Sequence, residues 1–191
     1  MKKLSYFLGL FVAVLAFTAC NEGTDFDIDY TPIAPIGGQY DIIIYQGEDA
    51  SMTDEQFWAT HNINSEDVEQ LNEFGEIYAC LSNTTDYDSD KAWIRVGGTA
   101  SKSAHNINAK ISINMSDYTF GGTDVDDFVG NSATPVDKAT VKGFCKRNGY
   151  TTEKSKTTTD YIEFIYSRTG APGMHYKAIG FKYTYWGEDE E

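Results

Sequence analysis

Three histidines, His61, His105 and His175, are the first candidates for chemistry, because an imidazole beside an aspartate can act as a general base near neutral pH. They lie far apart along the chain, and an acidic protein offers such pairs by chance. The nucleophile elbow of a common serine hydrolase would read Gly-x-Ser-x-Gly on a strand-to-helix turn, and that spacing does not occur in the sequence. Triads are recognised by geometry rather than by order. The histidines therefore read first as surface or hydrogen-bonded core residues, and no catalytic residue is assigned. Asp86-Tyr87-Asp88-Ser89-Asp90 places carboxylates at alternate positions, as a calcium loop does. Its sixth position is Lys91 where Gly is required, and its twelfth is Gly97 where Glu is required. It is not an EF-hand and reads as a solvated turn, as does Asp124-Val125-Asp126-Asp127. Neither a metal nor any other cofactor is expected. For Cys80 and Cys145 two readings fit, one disulfide or two buried free thiols. Trp58, Trp93 and Trp186, with the Tyr-rich segments, would either line an apolar cavity or pack a core that has none. Exposed Tyr87 or Tyr150 would suit stacking on sugars.

Charge narrows the partners. The 191 residues carry 15 Lys+Arg against 29 Asp+Glu, a net charge of −14. Such a balance lacks the basic footprint that phosphate contacts need, which argues against nucleic acid and against electrostatic docking on anionic lipid. With 41% hydrophobic residues the chain can build a core, and its length suits one domain. The 13 Tyr and 11 Phe favour strands.

The first twenty residues read as an address. A basic head, Lys2-Lys3, precedes an apolar run from Phe7 to Phe17 that is too short to span a bilayer but fits a signal-peptide core. The run ends in Phe17-Thr18-Ala19-Cys20, which resembles the lipobox of bacterial lipoproteins, with Phe17 where Leu is usual. The resemblance implies cleavage before Cys20 and acylation of its thiol. The acidic stretch Asn21 to Asp29 resembles the export signal of Bacteroidetes surface lipoproteins, and it also serves as a solvated tether. Loss of Lys2 and Lys3 would leave 13 basic against 29 acidic residues, a charge of −16. Expected boundaries are a signal peptide at 1–19, an acylated tether and lead-in at 20–36, and a folded domain at 37–191. The expected location is the cell envelope, anchored by lipid to the outer membrane.

The positioning elements are strands. Ile107, Ala109, Ile111, Ile113 and Met115 alternate with polar residues, so one face is buried and the other wet. Similar runs cover Tyr40 to Gln46, Glu76 to Asn83, Ala92 to Val96, Tyr118 to Phe120, Ala139 to Arg147, Asp160 to Ser167 and Tyr176 to Trp186. Ser116-Asp117 reads as a kink. Gly121-Gly122 and Asn148-Gly149 read as turns. Ser51 to Gly75 breaks the pattern: Thr53 with Gln56 fits a capping box, and Val68, Leu71 and Phe74 suit a second short helix. Eight antiparallel strands with short links most simply close into an up-and-down barrel, all-β, with this helical insertion between the first two strands covering one end. A two-sheet sandwich is the alternative.

Several segments together resemble a known family. They are Gly38 to Ile42, Leu81 to Thr84 with Asp90 to Ile94, Asp160 to Phe164, Pro172 to Tyr176, and Gly180 to Trp186. The layout is similar to the Bacteroidetes lipoproteins described as "lipid-binding putative hydrolase". The resemblance implies a lipocalin-like barrel and an apolar or amphipathic ligand, and it brings no catalytic motif. On that reading Ile42, Ile44, Ile111, Ile113, Phe181 and Tyr183 face inward around the ligand, and Trp58 and Phe74 cap a mouth. Beside this one stand a purely structural or interaction module and two rival functions. The rivals are a glycan-binding accessory of an outer-membrane uptake system and a lipid or ester hydrolase.

Overall fold

A computed structural model describes residues 31–98, 103–130 and 132–184. The expected acylation at Cys20, the signal run, and Tyr185 and Trp186 fall outside the described residues. Chain order is β1 (Gly38–Glu48), α1 (Asp54–Thr60), β2 (Glu69–Gln70), β3 (Tyr78–Asn83), β4 (Lys91–Val96), β5 (Ile107–Asn114), β6 (Thr119–Asp127), β7 (Asp137–Thr151), β8 (Thr158–Arg168) and β9 (Met174–Lys182). From β3 to β9 each strand pairs antiparallel with the next, and β1 pairs with both β3 and β9. Eight strands thus close into one up-and-down barrel, and the sandwich is excluded. The short β2 lies along β1 beyond the reach of β3, matching Tyr45 with Gln70. Between β2 and β3 the Asn72 side chain stands in for a strand. Its Oδ1 accepts from Ile44 N at 2.8 Å and its Nδ2 donates to Ile42 O at 2.7 Å. This edge of β1 is thereby covered.

Alternation decides what fills the barrel. Tyr40, Ile42 and Ile44 of β1, Ile94 of β4, Ile111 of β5, Ile162 and Tyr166 of β8, and Tyr176 and Ala178 of β9 point inward and are at most 1% exposed. A hollow interior would leave free surface on its lining even if sealed from bulk water, so this interior is packed. Eight strands enclose about the width that side chains alone can fill. Large residues face small ones across the pairs, as Ile42 faces Gly180 and Phe164 faces Gly143. A Cβ on Gly143 would stand 2.3 Å from the Phe164 Cβ and 2.8 Å from the Phe120 ring, so only glycine leaves room for both aromatics in this layer.

Each mouth has its own stopper. At one, the lead-in turn puts Ile33 and Ile36 at 0% exposure, and the Tyr40 hydroxyl donates to Ile36 O at 2.7 Å. That hydroxyl also lies 3.7 Å from Cys145 Sγ. Burial pushes the Cys145 thiol up to about 12 and the Tyr40 phenol far above its ordinary value, so neither ionises. At the other mouth Arg168 reaches Asp127 at 3.4 Å and Asp137 at 3.0 Å, and donates to the carbonyls of Ser103 and Asn106. The Tyr166 hydroxyl donates to His105 O at 2.7 Å.

Several expectations need correction. The helical insertion holds one helix, α1, with the expected capping box, but Val68 to Phe74 is not a second helix: Glu69–Gln70 pairs with the edge of β1, the Leu71 amide donates to Ile44 O, and Phe74 lies in a turn. The helix covers the wall, over β8 and β9, rather than a mouth. Gly121-Gly122 and Asp124 to Asp127 belong to β6, which continues through a bulge between Gly122 and Val125. Asn148-Gly149 lies within β7, where the register shifts between Lys146 and Tyr150 and Asn148 takes a φ of 53°.

A groove on the outer wall

Outside the barrel, the residues left over by alternation form two rows. Ser112, Gly121, Lys142 and Ile165 lie side by side across β5 to β8, and next to them lie Asn114, Thr119, Phe144 and Glu163. These rows floor a groove of about 950 Å³, with Glu55, Trp58 and Ala59 of α1 as its wall. That volume is ample for a small-molecule site. The floor is low because Gly121 has no side chain. A Cβ there would stand 2.4 Å from Val141 O, so the approach of β6 to β7 admits only glycine. Phe144, 39% exposed, and Ile165 make the floor apolar.

A helix of seven residues does not stand alone in water, so the wall exists only by docking. Thr53 and Gln56 cap its start reciprocally, at 3.3 and 2.9 Å. Phe57, 1% exposed, is sandwiched between His61 and His175, with ring centroids 4.3 and 4.8 Å away. Asp54 takes a hydrogen bond from Ser167 Oγ at 2.6 Å and lies 2.6 Å from His175 Nδ1. His175 Nε2 meets Asp49 O at 2.8 Å.

This Ser-Asp-His cluster also borders a second cleft of about 660 Å³, so its chemistry matters. A carbonyl oxygen only accepts, so His175 Nε2 is the donor to Asp49 O. In a hydrolytic triad the imidazole stands between serine and aspartate. Here the carboxylate does, and both ring nitrogens are engaged elsewhere. The arrangement fastens α1 to β8 and β9. His61 Nδ1 lies 3.0 Å from Phe57 O, while burial and the charge of Arg168 push His105 down from its ordinary value.

Charge lines the groove unevenly. Glu55 lies 3.6 Å from Lys142, and Glu163 is held by Lys177 at 2.7 Å and by the Tyr161 hydroxyl at 2.7 Å. Burial opposes the charge of Glu163, but these two partners outweigh it and hold the carboxyl below its usual range. Lys177 also stands 6.0 Å over the Trp58 ring. Asp117 accepts from the Thr119 hydroxyl at 2.7 Å and amide at 3.0 Å, and these bonds lower its pKa. The Trp58 Nε1 is buried without a hydrogen-bond partner among the described residues.

Of the residues singled out for the ligand, Trp58 and Ile113 border this groove. Ile42, Ile44 and Ile111 sit in the packed interior. Phe181 and Tyr183 face outward instead of inward, since Phe181 pairs with Asp41 while Ile42 pairs with Gly180. Phe181 packs on Phe74 at 5.1 Å and stacks on Tyr150 at 4.6 Å, and Tyr183 meets Tyr78 edge-on at 6.0 Å. Phe74 joins that outer cluster and caps no mouth. Cys80 and Cys145 are free thiols. They occupy opposite faces of the wall, Cys145 inside with Val141 and Cys80 outside between Ala79 and Leu81. Sequence reasoning missed Gly121, Lys142, Phe144 and Ile165. One signal was present: Tyr161 and Ile165 put large apolar groups on the parity opposite Ile162, Phe164 and Tyr166, which in an antiparallel strand points to a partly covered outer face.

Residues 25–187 match the model of a family described as "lipid-binding putative hydrolase". No curated protein matches the chain.

Proposed function

The chain belongs to the family of that description, and from this premise we propose that it holds a lipid-like, amphipathic ligand in the groove beside α1, without turning it over. One observation carries the reading: the barrel interior is packed, while an apolar groove of about 950 Å³ lies open on the outer wall. Each methylene withdrawn from water contributes about 0.8 kcal/mol, less the cost of ordering the ligand, so a medium-length chain suffices for measurable affinity. The floor spans four strands, roughly 14 Å at the usual spacing between neighbours, which suits such a chain laid across them. We further propose that Cys20 is acylated and tethers the domain to the outer membrane of the envelope, on the strength of the apolar run and Phe17-Thr18-Ala19-Cys20. Two acyl chains anchor stably, so the folded part needs no membrane-binding surface.

Calorimetry with alkyl amphiphiles of increasing length tests the first part. Affinity should rise with length and then level off. It should collapse when Ala59→Trp blocks the groove, and it should survive Ile44→Val in the interior. Binding that ignores Ala59→Trp but follows Ile44→Val would move the ligand back inside the barrel. For the anchor, Cys20→Ala should leave the protein unprocessed or release it from membranes. A variant of mature mass that still sediments with membranes would refute it.

A further inference from the structure

The charges around the groove bear on which amphiphile it accepts, an inference that rests on the proposed lipid-like ligand. Among the described residues, Glu55, Asp117 and Glu163 line the groove against the one ammonium of Lys142. Lys142 is turned to Glu55, and Lys177, beside the Trp58 wall, is turned to Glu163. Both ammoniums are thus engaged by glutamates. Asp117, on the turn between β5 and β6, has no cation paired with it among the described residues. Its carboxylate is fixed by the hydroxyl and amide of Thr119, both neutral donors that preserve its charge. Asn114 and Thr119 lie beside it on the floor, exposed and polar. The tail's place is therefore the span from Trp58 over Gly121 and Ile165 to Phe144, and the head's place is the Asp117 end. A carboxylate head would meet an uncompensated negative charge there, on a chain whose net charge is already −14.

We propose that the groove selects against anionic amphiphiles, so that at equal tail length affinity falls in the order cationic head, uncharged polyol head, carboxylate head. These groups are exposed to water, so the preference is modest and electrostatic. It should be roughly threefold per step at low salt, as for unit charges several ångströms apart in water. It should fade at high salt, where the Debye length shrinks to about 3 Å near 1 M.

The test uses three dodecyl probes below their micellar concentrations: dodecyltrimethylammonium, dodecyl maltoside, and laurate at a pH where it is ionised. Calorimetric titration of the protein at low and high salt gives the order. Asp117→Asn should narrow the gap between laurate and maltoside, and Lys142→Ala should widen it. Both positions are exposed, so folding is unaffected. Laurate binding as tightly as maltoside at low salt, or a gap unmoved by Asp117→Asn, overturns the head-group inference and leaves the groove standing. Failure of all three probes to bind removes the groove reading and this inference with it.

Discussion

Phe57→Ala should undock α1 while leaving the barrel closed. Phe57 is 1% exposed and lies between two imidazoles at 4.3 and 4.8 Å. Burying such a ring contributes about 1.5–3 kcal/mol, and each favourable aromatic contact about 0.5–1.5 kcal/mol more. Large-to-small changes of Phe cost about 3–5 kcal/mol in packed sites. The lower figure is the better guide here, because a surface helix can relax into water. A loss of about 3 kcal/mol changes the docking equilibrium roughly a hundredfold, at 1.4 kcal/mol per decade. The reporter is the amide of His61, which donates to Phe57 O at 2.9 Å and is protected only while α1 persists. Native-state hydrogen exchange should show His61 exchanging about two decades faster. The β8 amides around Phe164 should keep their protection, and amphiphile affinity should fall with the lost Trp58 wall. Unchanged exchange at His61 would refute the claim that Phe57 holds the helix. Faster exchange with affinity intact would show that α1 is no part of the ligand site.

Two further outcomes follow from the wall itself. Ile111→Asp should unfold the domain in mild urea, since it exchanges about 1.5–3 kcal/mol of burial for an unpaired buried charge. Ser112→Asp, one residue on and exposed, should leave the melt nearly unchanged, and equal urea midpoints would reverse the assigned faces. Glu163→Gln should lower stability at neutral pH and cost progressively less in acid. The folded-state carboxyl sits below its usual range. As pH falls, the unfolded chain therefore takes up its proton first, and the stabilisation drains away until pH passes the folded value. A penalty independent of pH from neutral to strong acid would show that the Lys177 and Tyr161 contacts do not act through charge.

The eight-strand barrel was legible where one face is wet, as in β5, whose buried and exposed residues alternate without a break. The capping box at Thr53 and Gln56 was legible too, because its reciprocal bonds are local. Legibility failed where the outer face is covered. In β9 and just past its end, the larger residues Ile179, Phe181 and Tyr183 share a parity and read as the core side. The interior instead takes Tyr176, Ala178 and Gly180, since tyrosines from β1 and β8 already crowd it. Asp127 read as part of a solvated loop. It is fully buried because Arg168, forty-one residues later, meets it at the mouth. Gly121 looked like a turn residue, while its actual role, letting β6 close on β7, depends on a backbone oxygen of another strand. Pairings across such distances leave no trace in local pattern, and the groove is built from them.

The stopper at the lead-in mouth has a mechanical consequence. Any tension applied through the residues before Thr31 reaches Ile33 and Ile36 first, then the Tyr40–Ile36 hydrogen bond, and then β1 along its own axis. The nine residue pairs between β1 and β9 carry bonds perpendicular to that axis. A pull along β1 that the far end of the barrel resists therefore loads them together, in shear, instead of peeling them one at a time. A domain tugged from this end yields its short stopper early, as a fuse, while the ring of strands behind it resists as a unit.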